Sequence, residues 1–268
     1  MYHNINKNNM NNNENNHSIH EFDYSLICEY FSSIDRQGPG SDASTLQALS
    51  FINPLIPKAR IADLGCGTGS SAILLAKVTD AEVVALDLFP DFLDKLTRRA
   101  AKEGVADRIH PTVGSMDALP FEKESFDVIW SEGAIYNIGF ERGLREWHKY
   151  VKSGGYVAIS EVVWLTDERP NEIEQFWQDA YAEIDTIGNK VAQIQRCGYR
   201  LVAAFVLSDD CWVINYYIPQ RQAQEVFLNK YPDNEVAANL VANQRHEAEI
   251  YNKYKAHYGY VFFIAQKV

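Results

Sequence analysis

The sequence predicts an α/β fold: a Rossmann-like, doubly wound, mostly parallel sheet. Three observations predict it. Short apolar runs alternate with helical segments from Arg60 to Trp164, the pattern of a parallel sheet with helices on both faces. A glycine-rich turn, Gly65-Cys66-Gly67-Thr68-Gly69, joins the first such strand to the first such helix. An acid, Asp87, closes the second strand, where nucleotide-binding sheets place a hydrogen-bond acceptor for a ribose.

The elements follow in order. Asn dominates from Asn4 to Asn16, so residues 1–18 are expected to be a disordered tail with nothing to bury. His3, His17 and His20 belong with that solvated stretch rather than with a metal. Phe22, Leu26, Ile27 and Tyr30 recur at helical spacing between Ile19 and Phe31. The breaker "RQGPGS" (Arg36–Ser41) precedes a second helix capped by Ser41 or Asp42 and running to about Phe51. Pro54 and Pro57 then punctuate the approach to the sheet.

Strands are expected over Arg60–Gly65, Glu82–Leu88, Arg108–Gly114, Phe126–Gly133 and Gly154–Trp164, with helices over Ser70–Thr79, Pro90–Glu103 and Glu141–Val151. Pro111 puts the third strand at a sheet edge, because proline cannot donate to a ladder. Beyond Trp164 come helices at Asn171–Ile187 and Asn189–Cys197, a strand at Arg200–Leu207, and a final strand at Tyr260–Val268. The stretch between the last two strands is too long for a plain loop and is expected to carry structure of its own. The division is a tail (1–18) and one domain (19–268). Its core is 58–207 and 260–268, and its cap is 19–51, 168–187 and 208–259.

Bulk properties narrow the function. With 268 residues, 46% of them hydrophobic, the chain can bury the core of one large α/β domain. A net charge of -11 disfavours nucleic-acid partners, which need a basic face. Cys28, Cys66, Cys197 and Cys211 are scattered, with no metal-ligand spacing, so no metal site and a reduced, cytoplasmic setting are expected. No apolar run approaches the roughly 20 residues of a spanning helix, so stable membrane insertion is not expected.

The glycine turn carries the chemistry. Glycines permit backbone angles closed to other residues and let a ligand lie on the loop. Free N–H groups at the following helix start favour an anionic group such as a carboxylate. The spacing is G-x-G-x-G, with Asp63 two residues ahead; a pyrophosphate-binding turn usually reads G-x-G-x-x-G. Asp87 is placed for a ribose and Leu88 for a face of the attached base. The loop "GSMDALPF" (Gly114–Phe121) offers Ser115, Met116 and Asp117 to the base edge.

These segments resemble the class I S-adenosylmethionine-dependent methyltransferases, in particular the ubiquinone/menaquinone-biosynthesis (UbiE) type. "IADLGCGTGSS" resembles the first motif and "VVALDL" the ribose acid. "GSMDALPFEKESFDVIWSEGAIYNI" resembles the adenine loop and fourth strand, and "LREWHKYVKSGGYVAISE" the helix, turn and fifth strand. The resemblance spans about Arg60 to Glu161. It implies a seven-stranded sheet with the last strand antiparallel, S-adenosylmethionine as cofactor, and a small-molecule acceptor. Ser115 stands where the family often has Asp, which leaves the contact to Asp117 or to water. Nothing after Glu161 closely matches the quinone enzymes, which points to a separate small-molecule branch.

Cofactor contacts are therefore expected from Asp63, Gly65, Cys66, Gly67, Gly69, Asp87, Leu88, Ser115, Met116, Asp117 and Glu132. Gln37 and Gly38 would close over the methionine end. Asp63 suits a ligand bearing ammonium and sulfonium charges. Cys66 is read as a backbone contact rather than a nucleophile. Ligands of such sheets sit beyond the carboxyl ends of the strands, which brings in Glu132 and Tyr136 as candidate catalytic groups and Tyr136, Glu161, Trp164, Trp212 and Tyr216 as candidate acceptor contacts. His148 reads as a packing residue. The cap aromatics suit an apolar, aromatic or amine-bearing acceptor, or else form a second core or a homodimer contact. The competing functional classes are a nicotinamide-dependent oxidoreductase on the same fold and a catalytically silent cofactor-binding module.

Overall fold

A computed structural model describes residues 19–52 and 57–268. The expectations for the Asn-rich tail, for His3 and His17, and for Pro54 lie outside the described residues, and the side chains of His20 and Phe22 are likewise not described. Two helices open the chain, α1 (Ile19–Ser32) and α2 (Asp42–Ser50). The Ser41 side chain caps α2 through the Ser44 N–H, and the Ser44 side chain answers the Ser41 backbone, so two otherwise orphaned donors are satisfied reciprocally.

The sheet elements then alternate as β1 (Arg60–Leu64), α3 (Ser70–Val78), β2 (Glu82–Asp87), α4 (Pro90–Lys102), β3 (Ile109–Val113), β4 (Phe126–Glu132), α5 (Phe140–Trp147) and β5 (Val151–Trp164). After them come α6 (Asn171–Ala180), β6 (Asp185–Thr186), α7 (Ile187–Arg196) and β7 (Tyr199–Val206). The cap segment holds α8 (Asp209–Trp212), a π-turn over Val213–Tyr217, α9 (Ile218–Lys230) and α10 (Glu235–Tyr254), before β8 (Tyr258–Lys267) closes the sheet.

The strand order is β3-β2-β1-β4-β5-β8-β7, with β6 paired to β5 off this path. Strands β1 to β5 run parallel, and β8 is antiparallel to both β5 and β7. The mostly parallel sheet with an antiparallel last strand is as expected, and β3, with Pro111, lies at the edge. The count is eight rather than seven, because the helix expected over Asn171–Ile187 stops at Ala180. Its apolar face is satisfied by Ile173 and Trp177, and the chain then turns back so that Asp185 and Thr186 pair with Val163 and Trp164.

Each face of the sheet has its own core. On one side Ile61, Val83, Val128 and Trp130 pack with α3, α4 and the cap aromatics. On the other, Leu64, Ile129 and Val261 pack with Phe140, Leu144 and Trp147 of α5. A third core is separate from the sheet: Leu26, Tyr30 and Phe31 of α1 meet Phe92 of α4, Phe227 of α9 and Val241 of α10. The first helix and the late cap are thus one structural unit. Tyr30 donates to Gln220 Oε1 (2.7 Å) inside it. Among the described residues no helix is long and apolar enough to cross a membrane.

Trp147 links this scaffold to the ligand side. Its ring is fully buried, and its Nε1–H donates to the Met116 carbonyl (2.8 Å), fixing the loop after β3. Trp147→Phe keeps an aromatic ring but leaves that carbonyl without its donor. It should lower unfolding free energy in urea titrations by about 1–3 kcal/mol.

Candidate functional site

The turn after β1 is built by its hydrogen bonds and its missing side chains. The N–H groups of Gly65 and Cys66 both donate to Leu86 O (2.8 and 3.1 Å), so the turn is tied to the tip of β2. Gly65 and Gly67 lie in the left-handed region, at φ +73° and +54°, where side chains are costly. A Cβ on Gly65 would stand 2.4 Å from Ala134 Cβ, and one on Gly67 would stand 2.2 Å from Gln37 Oε1. Gly69 caps α3 and packs under Leu96. Ala134, Gln37 and Leu96 thus pack so close to the turn that only glycines fit there.

Two acids converge on it. Asp87 Oδ2 accepts from the Gly67 N–H (2.8 Å) and Oδ1 from the Phe89 N–H (3.1 Å). Burial raises its pKa, and these backbone donors hold it down. Asp63 is buried, with Ser71 Oγ donating to its Oδ2 (2.6 Å). Its Oδ1 has no hydrogen-bond partner among the described residues. Burial outweighs the Ser71 bond, the negative charges of Glu132 and Asp87 add to it, and the carboxyl is pushed up to about 7. Burial, followed by the Asp87 and Asp63 charges, also pushes the Cys66 thiol well above its ordinary range. A thiol kept protonated is no nucleophile.

The base side is more open. Leu88 follows Asp87 and is 56% exposed, an apolar surface beside a polar anchor. Across from it the Gly114 N–H donates to Asp87 O (3.0 Å). Ser115 Oγ donates to Asp117 Oδ1 (2.5 Å), and Asp117 Oδ2 lies 3.7 Å from Arg142. Met116 reaches the turn, its Cε 2.8 Å from the position a Gly65 Cβ would take.

The segment between α1 and α2 crosses the turn as a strap. Gln37 Nε2 donates to Phe31 O and Ile34 O (3.0 Å each), and Gln37 Oε1 accepts from the Thr68 N–H (2.9 Å). Arg99 holds the strap down by donating to Asp35 O (3.1 Å) and Thr68 O (2.8 Å). Gln37 therefore lies against the turn. Gly38 is not brought in: a Cβ there would touch nothing within 4 Å.

Glu132, at the end of β4, is held by three donors. Thr45 Oγ1 (2.6 Å) and Trp130 Nε1 (2.9 Å) donate to Oε1, and Arg36 Nη1 (3.3 Å) to Oε2. Arg36 and Thr45 gave no signal in the sequence, because their role depends on the strap and α2 folding back onto β4. Tyr136 sits on the next turn, its ring 5.9 Å from that of Tyr181. Burial and then the Glu247 charge raise its phenol pKa, so it holds its proton at neutral pH.

The remaining acceptor-side candidates are interior. Glu161 is fully buried, 3.5 Å from Lys190 Nζ. Burial raises its pKa against the pull of Lys190 and Tyr181. Lys190, also fully buried, donates to Tyr181 OH (3.3 Å) and Glu183 O (3.0 Å); its helix offered no hint of a buried cation. Trp164 is buried beneath the Arg169 guanidinium at 4.2 Å. Trp212 stacks on Tyr251 with ring centroids 4.3 Å apart, and Tyr216 OH donates to Gln244 (3.3 Å). These aromatics turn inward, so they do not form an exposed homodimer face. His148 packs edge-on against Tyr199, next to Gly198.

Comparison with known proteins agrees with this geometry. Residues 61–155 match a family model described as a methyltransferase domain. A sarcosine/dimethylglycine N-methyltransferase from Aphanothece halophytica is 35% identical over 115 residues, 42% of this chain and 41% of that protein. The methyltransferase GfsG from Streptomyces halstedii is 29% identical over 148 residues, 53% of each chain. The chain spans about half the length, or less, of these curated relatives. Among solved structures, a SAM-dependent methyltransferase from Geobacter sulfurreducens in complex with S-adenosyl-L-homocysteine superposes with a TM-score of 0.79 at 20% identity. It covers 91% of this chain and 98% of that one. The fold is the Rossmann-like fold of these methyltransferases.

Asp63 has a pH signature. Its native value of about 7 lies above the ordinary 3.8, so between those values the native state holds a proton that the unfolded chain has released. Stability from this group falls as pH rises from about 4 to about 7. Asp63→Asn should abolish that slope. In urea titrations at pH 4.5 and 7.5 the wild type should lose ground to the variant by on the order of 2–4 kcal/mol.

Proposed function

We propose that the protein is an S-adenosylmethionine-dependent methyltransferase acting on a small molecule. One observation carries the reading: the Asp87 carboxylate at the tip of β2 is hydrogen-bonded to Gly67 in the turn after β1, so ribose acceptor and cradle form a single unit. The residues fit the cofactor. The left-handed glycines let Ala134, Met116 and Gln37 approach the turn more closely than a Cβ would allow, and Asp63 Oδ1 is a buried acceptor in want of a donor. An ammonium beside it would supply one.

The turn would hold the amino-acid end of the cofactor, with Asp63 answering its positive charge. Asp87 would take the ribose hydroxyls, while Leu88 and Met116 flank the adenine and Ser115 and Asp117 border its edge. The bound sulfonium supplies an already activated methyl group. The protein's task is then to align the acceptor and exclude water. Gln37 and the strap cover the turn. Glu132, fixed by Arg36, Thr45 and Trp130, positions the strap and α2 over β4 rather than serving as a free base. Tyr136, holding its proton, is a hydrogen-bond donor to the acceptor.

The resemblance to the quinone-biosynthesis type covers the nucleotide-binding half, whereas the acceptor is chosen by the cap. Sequence similarity to amine N-methyltransferases covers 42% of the chain, so the acceptor has to be argued from the cap residues themselves.

Calorimetric titration should show S-adenosylhomocysteine binding to the full chain, and Asp87→Ala should weaken it about 10- to 100-fold, the worth of one or two charge-assisted hydrogen bonds. Equal binding by the variant, or saturable NADH binding without S-adenosylhomocysteine binding, overturns the reading. Incubation with methyl-labelled cofactor and a metabolite extract should transfer label to a small molecule; tight cofactor binding without transfer would mark a silent binding module.

A further inference from the structure

The turn after β1 uses nearly all of its own donors to hold itself in shape. The N–H groups of Gly65 and Cys66 go to Leu86 O (2.8 and 3.1 Å), that of Gly67 to Asp87 Oδ2 (2.8 Å), and that of Gly69 to Cys66 O (2.9 Å). These bonds tie the turn to the tip of β2 and close it on itself. The Thr68 N–H is different. It donates to Gln37 Oε1 (2.9 Å), an oxygen that arrives on a side chain of the strap, outside the sheet. That oxygen also stands 2.2 Å from where a Gly67 Cβ would be. Gln37 is therefore laid directly on the turn, and it covers the one donor there that is not part of the frame.

The surroundings let this side chain leave while the strap stays. The strap is pinned at Asp35, whose carbonyl accepts from Ser70 Oγ (2.6 Å), Thr68 Oγ1 (2.8 Å) and Arg99 Nη1 (3.1 Å). None of these bonds passes through Gln37. Gln37 Nε2 donates to Phe31 O and Ile34 O (3.0 Å each), near the end of α1. Both carbonyls have a second donor: Ile34 O accepts from Lys95 Nζ (2.9 Å), and Phe31 O from the Ile34 N–H (3.4 Å). The space beside the next residue is open, since a Cβ on Gly38 would meet nothing within 4 Å.

A second group at the same turn asks for a ligand. Ser71, on the first turn of α3, donates to Asp63 Oδ2 (2.6 Å), while the buried Oδ1 has no hydrogen-bond partner among the described residues. Buried acceptors are normally paired. The amino-acid end of the cofactor carries a group for each: an ammonium that donates to Asp63 and a carboxylate that accepts from Thr68. A carboxylate is also a stronger acceptor than the neutral amide oxygen it would replace.

We propose that Gln37 is a displaceable stand-in for the cofactor's carboxylate. On binding, the carboxylate takes the Thr68 N–H, and the Gln37 side chain withdraws toward the open side of Gly38. The inference rests on the methyltransferase reading, which supplies the ligand, and adds how its amino-acid end is admitted to a turn that is otherwise filled. A ligand with a carboxylate must first break one neutral hydrogen bond, whereas a ligand without it leaves Gln37 in place. On release the amide returns, so the departing product does not leave the donor bare.

The test is a cycle of two proteins and two ligands, read by calorimetry on the full chain. S-adenosylhomocysteine is compared with 5′-(3-aminopropylthio)-5′-deoxyadenosine, which keeps the nucleoside, the sulfur and the ammonium but lacks the carboxylate. Gln37→Ala should raise S-adenosylhomocysteine affinity about three- to tenfold, the worth of one neutral hydrogen bond, and leave the aminopropyl nucleoside within about twofold. A ratio of the two affinities that is the same in both proteins, or smaller in the variant, overturns the proposal. A crystal structure of the wild type with S-adenosylhomocysteine decides independently of the variant. The Thr68 N–H should there meet the ligand's carboxylate, and Gln37 Oε1 still bonded to it overturns the proposal. If both nucleosides bind and the ratio does not move, the cofactor reading stands and the exchange alone is lost; if neither binds, both fall together.

Discussion

The bond between Asp87 and the Gly67 N–H is the constraint on which the ligand side depends. It joins two strand ends that the sheet has already set side by side, since β1 and β2 pair along their whole length up to Leu64 and Leu86. The sheet provides the coarse position, and the carboxylate then sets the turn to a fraction of an ångström. Without it the turn would keep its two bonds to Leu86 O and those of Thr68 to Gln37 and Arg99, but the Gly67 N–H would lose its acceptor. The glycines would then be free to sample the many conformations that make them useful, and costly to order. Burial makes the bond stronger than a surface contact would be and also makes the acid harder to ionise.

Glu132 plays the corresponding part on the other side. It gathers Arg36 from the strap, Thr45 from α2 and Trp130 from its own strand, so that segments 87 and 96 positions apart meet at one carboxylate. A buried anion with three donors is compensated, whereas an anion with one donor missing is not. The arrangement therefore favours a covered site, with the strap and α2 set against β4 together rather than one at a time.

The sheet was legible in the sequence because its information is local. Period and punctuation mark the strands, Pro111 marks the edge, and Gly65 to Gly69 with Asp87 mark the nucleotide end. Strand β6 was not legible: two residues carry no periodicity, and its existence depends on the chain reversing after Ala180. Lys190 and Glu247 were hidden for a different reason. Each is a charged residue on a helix, where charge ordinarily means solvent, and their burial follows from what packs over them, chiefly Phe140 and Tyr181 for Lys190 and Tyr217 for Glu247. For Trp212 and Tyr216 the sequence left a second core and an acceptor contact both open, since exposure is decided by neighbours far along the chain. Glu161 was read as an acceptor contact from its place late in β5; its burial against Lys190 was not legible, because that partner comes from a helix 29 positions away.

The core formed by α1, α9 and α10 has a consequence for how the molecule comes into being. Tyr30 and Gln220 are 190 positions apart, so α1 waits for the much later α9 before its apolar face is covered. Contacts of such separation form late because the loop entropy must be met first. During synthesis the nucleotide end of the sheet can be complete while its roof is still missing. A nascent or kinetically trapped chain would then expose Leu26, Tyr30 and Phe31, a sticky surface of the kind chaperones engage.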